Sequence, residues 1–342
     1  MFDESVIFNV LIAPIWHFLN PGDRLSLIYQ FTALVVAILV YTLHNAQNGR
    51  LQVAGLVKWL VPMAVLRHPS TQADFAFFVV NRMLRAGIYG SVLFWTPLVS
   101  ENAGAAFAWA FGPPSDGFGP HLGISLLMAF VTLILTDMTL WFMHYVFHIV
   151  PWLWDYHKVH HSAEVMTPIT AARMHPVEEI TDAACVSIVT GISYAAFVHA
   201  FGDSAVIFSV FDTNVFLAVF FLAAFNLRHS HVWVRYPVWL QHIFICPAQH
   251  QIHHSKAPQH WDRNMGFVFA CWDWAAGTLY APKAKEDIDF GLGTEEDGGA
   301  WHSLTALYFR PFCQTYARIF PDRKEADKET LPNFGTTRHE MD

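Results

Sequence analysis

The sequence predicts an all-α integral membrane protein with about five transmembrane helices. A cytoplasmic helical cap is expected to carry a His-rich di-metal site. Three observations support this fold class. Apolar residues make up 54% of the 342 residues and charged residues only 14%, below the roughly one quarter usual in a soluble domain. Several apolar runs are about as long as a bilayer core is thick. Twenty histidines are present, and most fall in the windows 144–175 and 229–260.

The predicted spans are long apolar runs with few charges. In chain order they are Leu25–Leu43, Leu84–Val99, Leu122–Trp141, Ile180–Phe201 and Ala205–Phe225, the last two forming a hairpin that turns at Gly202. Residues 1–23 and the run Leu56–Leu66 are interrupted by proline, and both are expected to lie at the membrane interface. A buried helical bundle in a soluble protein is the alternative, which the length of the runs disfavours.

The distribution of Lys and Arg predicts the orientation. These residues are absent before Arg24 and between Glu101 and His121, but they flank the His-rich segments, as at Lys158 and Arg228. The positive-inside rule therefore places the N-terminus outside and the histidines on the cytoplasmic side. Three regions follow from this division: a membrane region at 1–121, a catalytic domain at 122–280 and a polar, solvated C-terminal tail at 281–342.

Histidines recur at helical spacing. His144 and His148 are four residues apart, and two segments repeat the pattern His-x2-His-His; their members are His157, His160 and His161, and then His250, His253 and His254. Residues three and four apart share a helical face, so each group can direct imidazoles at a metal ion. Eight histidines exceed the needs of one ion, so we expect two ions. His229 follows the last predicted span and is a ninth candidate, whereas His231 faces elsewhere if that helix continues.

Three further polar residues are candidates for the site. In the segment His175-Pro-Val-Glu178, His175 is either a ligand or part of a polar turn. Glu178 is either a carboxylate that orients a ligand or an acidic residue of the first helical turn. Asp137 lies on the face of His144, deeper in the predicted membrane span, and is expected to accept a hydrogen bond from that histidine.

The number of histidines bears on the metal. Structural zinc sites use four ligands, and catalytic zinc sites use three with an open position. Nine histidines exceed both, and they suit two iron ions with open positions for dioxygen. The sequence has no His-Glu-x-x-His motif, so a zinc metalloprotease is not supported. A net charge of −8 argues against a nucleic-acid partner.

These motifs together resemble the fatty acid hydroxylase/sterol desaturase superfamily. The resemblance covers roughly Asp137 to Thr278, including Pro247-Ala-Gln-His250, Asp262-Arg-Asn264-Met-Gly266 and Trp272-Asp273. It implies a non-haem di-iron membrane enzyme that uses dioxygen to hydroxylate, desaturate or cleave a lipid. The bacterial sterol desaturase-like and alkylglycerol monooxygenase-like branches are the most similar, which suggests a bacterial inner membrane. The superfamily also implies a separate electron donor, cytochrome b5-like or ferredoxin-like, at the cytoplasmic face.

One position departs from the superfamily pattern. Some members place two histidines in the third cluster, and here Phe225 or Asn226 stands where the first would be. We expect Asn226 to hold a metal through a water molecule. The alternative to an enzyme is a membrane metal transporter or sensor that uses the same clusters. Transporters, however, bind their ions near the midplane of the membrane, where their helices are broken. These histidines instead follow the ends of the predicted spans.

Overall fold

The computed structural model describes residues 4–47, 53–89, 95–210, 213–223, 225–293 and 299–321. The described chain is mostly helical, as predicted. Its helices are α1 Glu4–Leu19, α2 Leu27–Gln47, α3 Val53–Leu60, α4 Met63–Leu66, α5 Pro69–Leu84, α6 Trp95–Phe111, α7 Leu122–Ile149, α8 Pro151–His161, α9 Pro176–Phe201, α10 Val215–Leu222, α11 Pro247–His253, α12 Cys271–Ala276 and α13 Leu304–Ile319. A two-stranded antiparallel sheet pairs β1 Ser209–Val210 with β2 Thr213–Asn214.

Three described helices are long and apolar enough to cross a membrane, namely those at Leu27–Asn45, Leu122–Ile149 and Pro176–Ser204. They correspond to the first, third and fourth predicted spans. α3 and α4 are short, in agreement with the expectation that residues 56–66 do not cross. The protein is an integral membrane protein.

The predicted span Ala205–Phe225 is not a continuous helix. Ser209–Val210 and Thr213–Asn214 pair as two short strands, and α10 has only eight residues, too few to cross a bilayer. Polar residues at the start of α10 explain the break. The Thr213 hydroxyl donates to the carbonyl of Gly22, and the Asn214 side chain donates to the carbonyl of Ala129 while it accepts from the N–H of Phe216.

The predicted span Leu84–Val99 also differs from the structure. α5 ends at Leu84 and continues as a π-helical turn over Arg85–Tyr89, and α6 begins at Trp95. Residues 90–94 of this prediction lie outside the described residues. α6 extends to Phe111, into the segment expected to be a connection, and it packs closely on α9. At Gly191 of α9 an added Cβ would lie 2.8 Å from the carbonyl oxygen of Thr96.

The N-terminal segment does not lie opposite the histidines. Arg24 precedes α2, and its carbonyl accepts from Asn226 while its guanidinium donates to the carbonyl of Ala171. It also lines the same cavity as His144 and His160. The start of α2 is therefore on the side of the molecule that carries the histidines, which disagrees with the predicted topology.

Buried Arg173 ties the helices around α8 together. Its guanidinium pairs with Asp74 of α5 at 2.6 Å and donates to the carbonyl of Val159 at 2.9 Å and to that of Trp301 at 3.0 Å. Burial raises the pKa of Asp74, and the charge of Arg173 opposes that shift. An unpaired buried charge is costly, so this pair fixes the position of α8.

The C-terminal region is not a solvated tail between residues 299 and 319. Trp301 is only 2% exposed and packs with Phe77, Val159 and Leu307 in one apolar cluster. α13 packs against α8, where Arg318 pairs with the buried carboxylate of Asp155 at 3.0 Å. This region therefore covers the outer side of α8. Residues 322–342 lie outside the described part of the chain.

Candidate metal centre

Nine histidines gather in two adjacent clusters. One cluster, here called the five-His cluster, contains His144, His148, His157, His161 and His253. The other, the four-His cluster, contains His160, His229, His250 and His254. Within each cluster the candidate ligand atoms all lie within 4.8 Å of one another. All nine belong to the ten residues predicted as metal ligands, and only His175 lies elsewhere.

Each His-x2-His-His motif divides its members between the two clusters. In α8, His157 and His161 enter the five-His cluster and His160 the four-His cluster. In α11 the division is reversed, because His253 joins the five-His cluster and His250 the four-His cluster. On a helix, residue i+4 points almost the same way as residue i. Residue i+3 is turned away from residue i in the opposite direction to residue i+4. The repeated motif therefore places both helices between two metal positions.

The side chain of Gln251 ties the segment that carries His229 to α11. The amide of Gln251 donates to three backbone carbonyls, those of Leu227, Ser230 and Val232, at 2.8–3.1 Å. All are buried, so the bonds hold the 225–229 turn against α11. This contact places His229 beside His250, with 2.9 Å between their Nε2 atoms.

The spacing of the ring nitrogens fits metal ligation. Nε2 of His157 lies 3.1 Å from Nε2 of both His144 and His161, and Nε2 of His250 lies 3.2 Å from that of His254. Two nitrogens at right angles about an ion, each bound at about 2.1 Å, are about 3.0 Å apart. Nε2 of His148 and Nε2 of His253 are buried and have no hydrogen-bond partner among the described residues. Both clusters therefore fit a metal ion.

One short loop supplies acceptors to three members of the five-His cluster. Nδ1 of His148 lies 3.1 Å from Oδ1 of Asp262, Nδ1 of His253 lies 2.7 Å from the carbonyl of Arg263, and Nδ1 of His144 lies 2.8 Å from the carbonyl of Met265. A proton on Nδ1 leaves Nε2 free to bind a metal. We call residues 262–265 the acceptor loop.

The acceptor loop has an unusual backbone that its neighbours hold in place. Asp262 and Asn264 have φ of 55° and 58°, a region that residues other than glycine rarely adopt. The Asn264 side chain donates to the carbonyl of Gln249 and accepts from the N–H of Tyr280. Asp273 accepts from the N–H of Met265. These bonds fix the two carbonyls that face the histidines.

Glu178 orients a fourth histidine. Its Oε1 lies 2.7 Å from Nδ1 of His157, and both side chains are buried. This geometry agrees with the first of the two readings of Glu178, in which its carboxylate orients a ligand. A carboxylate at Nδ1 makes Nε2 a better metal ligand.

Burial keeps the histidines outside the spans in the form that binds metal. It lowers the pKa of His160 to about 3. Burial, helped by neighbouring histidines, lowers the pKa values of the others well below the usual 6.5; they are His157, His161, His229, His250, His253 and His254. Neutral imidazole is the ligating form.

Three predicted site residues have other roles. The prediction that His175 is a ligand is wrong, because its Nδ1 accepts from the N–H of Val177 and caps α9, and its Nε2 faces the carbonyl of Tyr308 at 3.1 Å. A neutral imidazole with both nitrogens engaged has none left for a metal. Burial lowers its pKa to about 4.

Asp137 is not the partner of His144. Its carboxylate accepts from the N–H groups of Val268 and Phe269 and from the indole of Trp272, at 2.7–3.0 Å. It therefore anchors the segment that follows the acceptor loop to α7. Asn226 lies in neither cluster, and its side-chain amide donates to the carbonyl of Arg24 at 2.9 Å. His231 is exposed and contacts the ring of Trp59 edge to face, at 5.1 Å between ring centroids.

A third group of possible ligands is better explained by the contacts of two histidines with Glu164. It consists of His68, Glu164 and His302. Nδ1 of His68 accepts from the N–H of Ser70 at 3.2 Å, so a neutral His68 carries its proton on Nε2. That proton faces Glu164, whose carboxylate lies 3.8 Å from His68 and 3.2 Å from His302.

Two cavities reach the clusters. The larger, of about 590 Å³, touches both of them through residues such as His144, His157 and His250. The smaller, of about 280 Å³, reaches His148, His161 and His253 beside Trp261 and Asp262. Both cavities therefore border the five-His cluster, and the larger one also borders the four-His cluster.

Part of the chain is similar to proteins of known function. Residues 129–278 match the family model described as Fatty acid hydroxylase. Alkylglycerol monooxygenase of Caenorhabditis elegans is 27% identical over 161 residues, which cover 47% of this chain and 28% of that protein. Ornithine lipid hydroxylase OlsE of Rhizobium tropici is 26% identical over 162 residues, 47% of this chain and 44% of that protein. The aligned region thus spans less than half of either relative, and no solved structure matches the chain.

Proposed function

We infer that this chain, whose residues 129–278 match the Fatty acid hydroxylase family model, hydroxylates a C–H bond of a membrane lipid with two iron ions and dioxygen. The observation that carries the proposal is the pair of histidine clusters at the wall of one cavity. The two relatives are named for different lipids, an alkylglycerol and an ornithine lipid. Both names describe oxygenation of a lipid, and that shared chemistry is what we propose here.

We assign one ion to each cluster. Imidazole binds iron, copper, nickel and zinc, and the clusters contain no cysteine. The five-His cluster exceeds the four ligands of a zinc site, and oxidation of a C–H bond needs a redox metal. Iron bound in the clusters would supply the redox chemistry that activates dioxygen.

The protein's own residues prepare the site. Glu178 and the acceptor loop hold the imidazoles of the five-His cluster with Nε2 directed at the metal position. Buried histidines remain neutral near pH 7. Apolar side chains from α7 and α10, namely Leu140, Leu217 and Phe221, line the larger cavity and would hold the lipid near the reacting carbon. Fixed geometry of this kind lowers the barrier by orienting the reactants.

The reaction needs electrons from outside the chain. One oxygen atom of dioxygen enters the C–H bond, and the other leaves as water after it gains two electrons and two protons. We propose that a cytochrome b5-like or ferredoxin-like carrier supplies the electrons at the cytoplasmic face. Desaturation, in which two hydrogens are removed and both oxygen atoms leave as water, is the variant reaction. A metal transporter is less well supported, because the histidines of α7 lie in its last two turns and not at a midplane break.

Isotope labelling tests the proposal. Iron-loaded full-length protein, a membrane lipid extract, a chemical reductant and ¹⁸O₂ should give a lipid whose mass rises by one ¹⁸O atom. His160→Ala and His253→Ala should abolish this product while the protein still inserts into membranes. Asp287→Asn, at an exposed position that lines neither cavity, is the control. Iron-loaded protein that incorporates no label into any lipid would refute the hydroxylase assignment.

A further inference from the structure

The larger cavity has charged walls, which is unusual for a site that receives a hydrocarbon. Its volume of about 590 Å³ is that of a typical small-ligand pocket. Four arginines and four carboxylates line it: Arg24, Arg82, Arg85, Arg228, Asp23, Glu178, Glu179 and Asp182. The cavity is therefore balanced in charge and selects neither a purely anionic nor a purely cationic ligand.

Several of these charges already have partners within the protein. Arg82 forms a buried ion pair with Glu179. Asp23 pairs with His17 and accepts from the N–H of Leu25. Arg228 donates to the carbonyl of Phe267 and lies over the ring of Phe225. Each of these groups therefore has at least one partner in the wall, and Nε of Arg82 and of Arg228 has none among the described residues.

Arg24 and two carboxylate oxygens can still form hydrogen bonds with a ligand. The described hydrogen bonds of Arg24 are made by Nη2, to the carbonyl of Ala171 and the sulfur of Met174, and a guanidinium has five N–H groups to donate. Oδ1 of Asp182 and Oε2 of Glu178 are buried and have no hydrogen-bond partner among the described residues. The cavity therefore offers a donor-rich cation, and two carboxyl oxygens with no partner among the described residues, to whatever enters it.

We propose that the lipid substrate carries a zwitterionic headgroup inside this cavity. Arg24 binds its anionic group, a carboxylate or a phosphate, and Asp182 binds its ammonium group. This inference rests on the proposed function, since it names the substrate class of the same site. A guanidinium suits either anion through paired N–H donors.

An uncharged lipid fits the same cavity less well. A sterol or an alkylglycerol would displace water from Arg24 and Asp182 without giving either a charged partner, and unpaired buried charge is costly. A zwitterion supplies both partners at once. Leu140, Leu217 and Phe221 leave apolar wall for the carbons next to the headgroup. The reacting carbon is then close to the headgroup and not far along an acyl chain.

A lipid series tests the proposal on the unaltered, iron-loaded protein. The probes share their acyl or alkyl chains and are an aminoacyl lipid with a free carboxylate and amine, phosphatidylethanolamine, the N-acetylated aminoacyl lipid, and an alkylglycerol. Binding is measured by native mass spectrometry in detergent. We expect a zwitterion to bind at least about tenfold more tightly than the last two probes. Preference for the aminoacyl lipid or for phosphatidylethanolamine identifies the anion as carboxylate or phosphate.

Two variants locate the contacts. Asp182→Asn should weaken binding of the preferred zwitterion about tenfold and leave binding of the N-acetylated lipid unchanged. Arg24→Gln should weaken binding of both, because both carry the anion. Asp287→Asn and Arg235→Gln, both at exposed positions, are the matched controls. The lipid series on the unaltered protein decides the question even if a variant fails to fold.

The outcomes separate the two proposals. Equal or tighter binding of the alkylglycerol, or equal weakening of all four lipids by Asp182→Asn, would overturn the zwitterion assignment, even if the lipid is hydroxylated. Selective binding of a zwitterion that is never oxidised would support this assignment and refute the hydroxylase.

Discussion

Oε1 of Glu178 lies 2.7 Å from Nδ1 of His157, and this contact joins the first turn of α9 to the metal-facing side of α8. Nε2 of the same histidine lies 3.1 Å from Nε2 of His144 and from Nε2 of His161. The carboxylate therefore acts on the five-His cluster through a single imidazole.

The first prediction concerns this carboxylate. Glu178→Gln should weaken metal binding by the five-His cluster about 10- to 100-fold, because the amide is a poorer acceptor for the Nδ1 proton. Asp262→Asn should have a smaller effect, since Asp262 is 63% exposed and water can replace it. Both effects are measured as the amount of metal that each variant retains as the chelator concentration is raised. Glu101→Gln is the exposed control, and equal retention in all three variants would contradict the role assigned to Glu178.

The second prediction concerns Asp137. Asp137→Asn replaces a charged acceptor of three hydrogen bonds, and it should lower the free energy of unfolding by about 3 kcal/mol. Metal bound per folded molecule should stay close to that of the unaltered protein. Thermal unfolding in detergent and metal analysis of the folded fraction measure the two effects. Normal stability combined with loss of metal would instead support the direct link to His144 that the sequence predicted.

The third prediction separates His175 from the ligands. His175→Ala should keep its full metal content and lose about 1 kcal/mol of stability, the usual cost of removing a helix N-cap. His175→Asn, which can still cap α9, should recover most of that loss. Reduced metal content in both variants would show that His175 is a ligand after all.

The fourth prediction is a dependence of stability on pH. Burial lowers the pKa of His160 to about 3, whereas an unfolded histidine titrates near 6.5. Between these values the unfolded chain binds a proton that the folded chain does not, so the metal-free protein should lose stability as pH falls from about 6.5 towards 3. His160→Gln removes this titration and should flatten the slope of Tm against pH. An unchanged slope would contradict the inferred burial.

The metal-facing histidines could be predicted from the sequence because they bind through their side chains, whose type and spacing the sequence shows. Nine of ten predicted ligands converge, and spacing along α8 and α11 explains why. Sequence reasoning missed the acceptor loop, because Arg263 and Met265 act through backbone carbonyls that no residue type encodes. Asp262 belongs to a segment that resembles the superfamily, but the sequence predicted no role for its side chain.

The fold was predicted where one helix has a continuous apolar run, as in α7 and α9. It was not predicted between residues 205 and 214, where local polar contacts with Gly22 and Ala129 break a helix that hydropathy alone favours. Histidine and aspartate are common in metal sites, but the polar atoms of His175 cap α9 and those of Asp137 anchor residues 268–272 to α7. Only the position of distant backbone groups distinguishes these roles.

Metal analysis of single-cluster variants tests the two-metal centre most directly. The purified, iron-loaded protein should bind two ions per chain, one for each cluster. His161→Ala and His254→Ala should each remove about one of these ions, and the double variant should remove both. A single ion that either variant removes completely, or metal content that neither variant changes, would contradict the central claim.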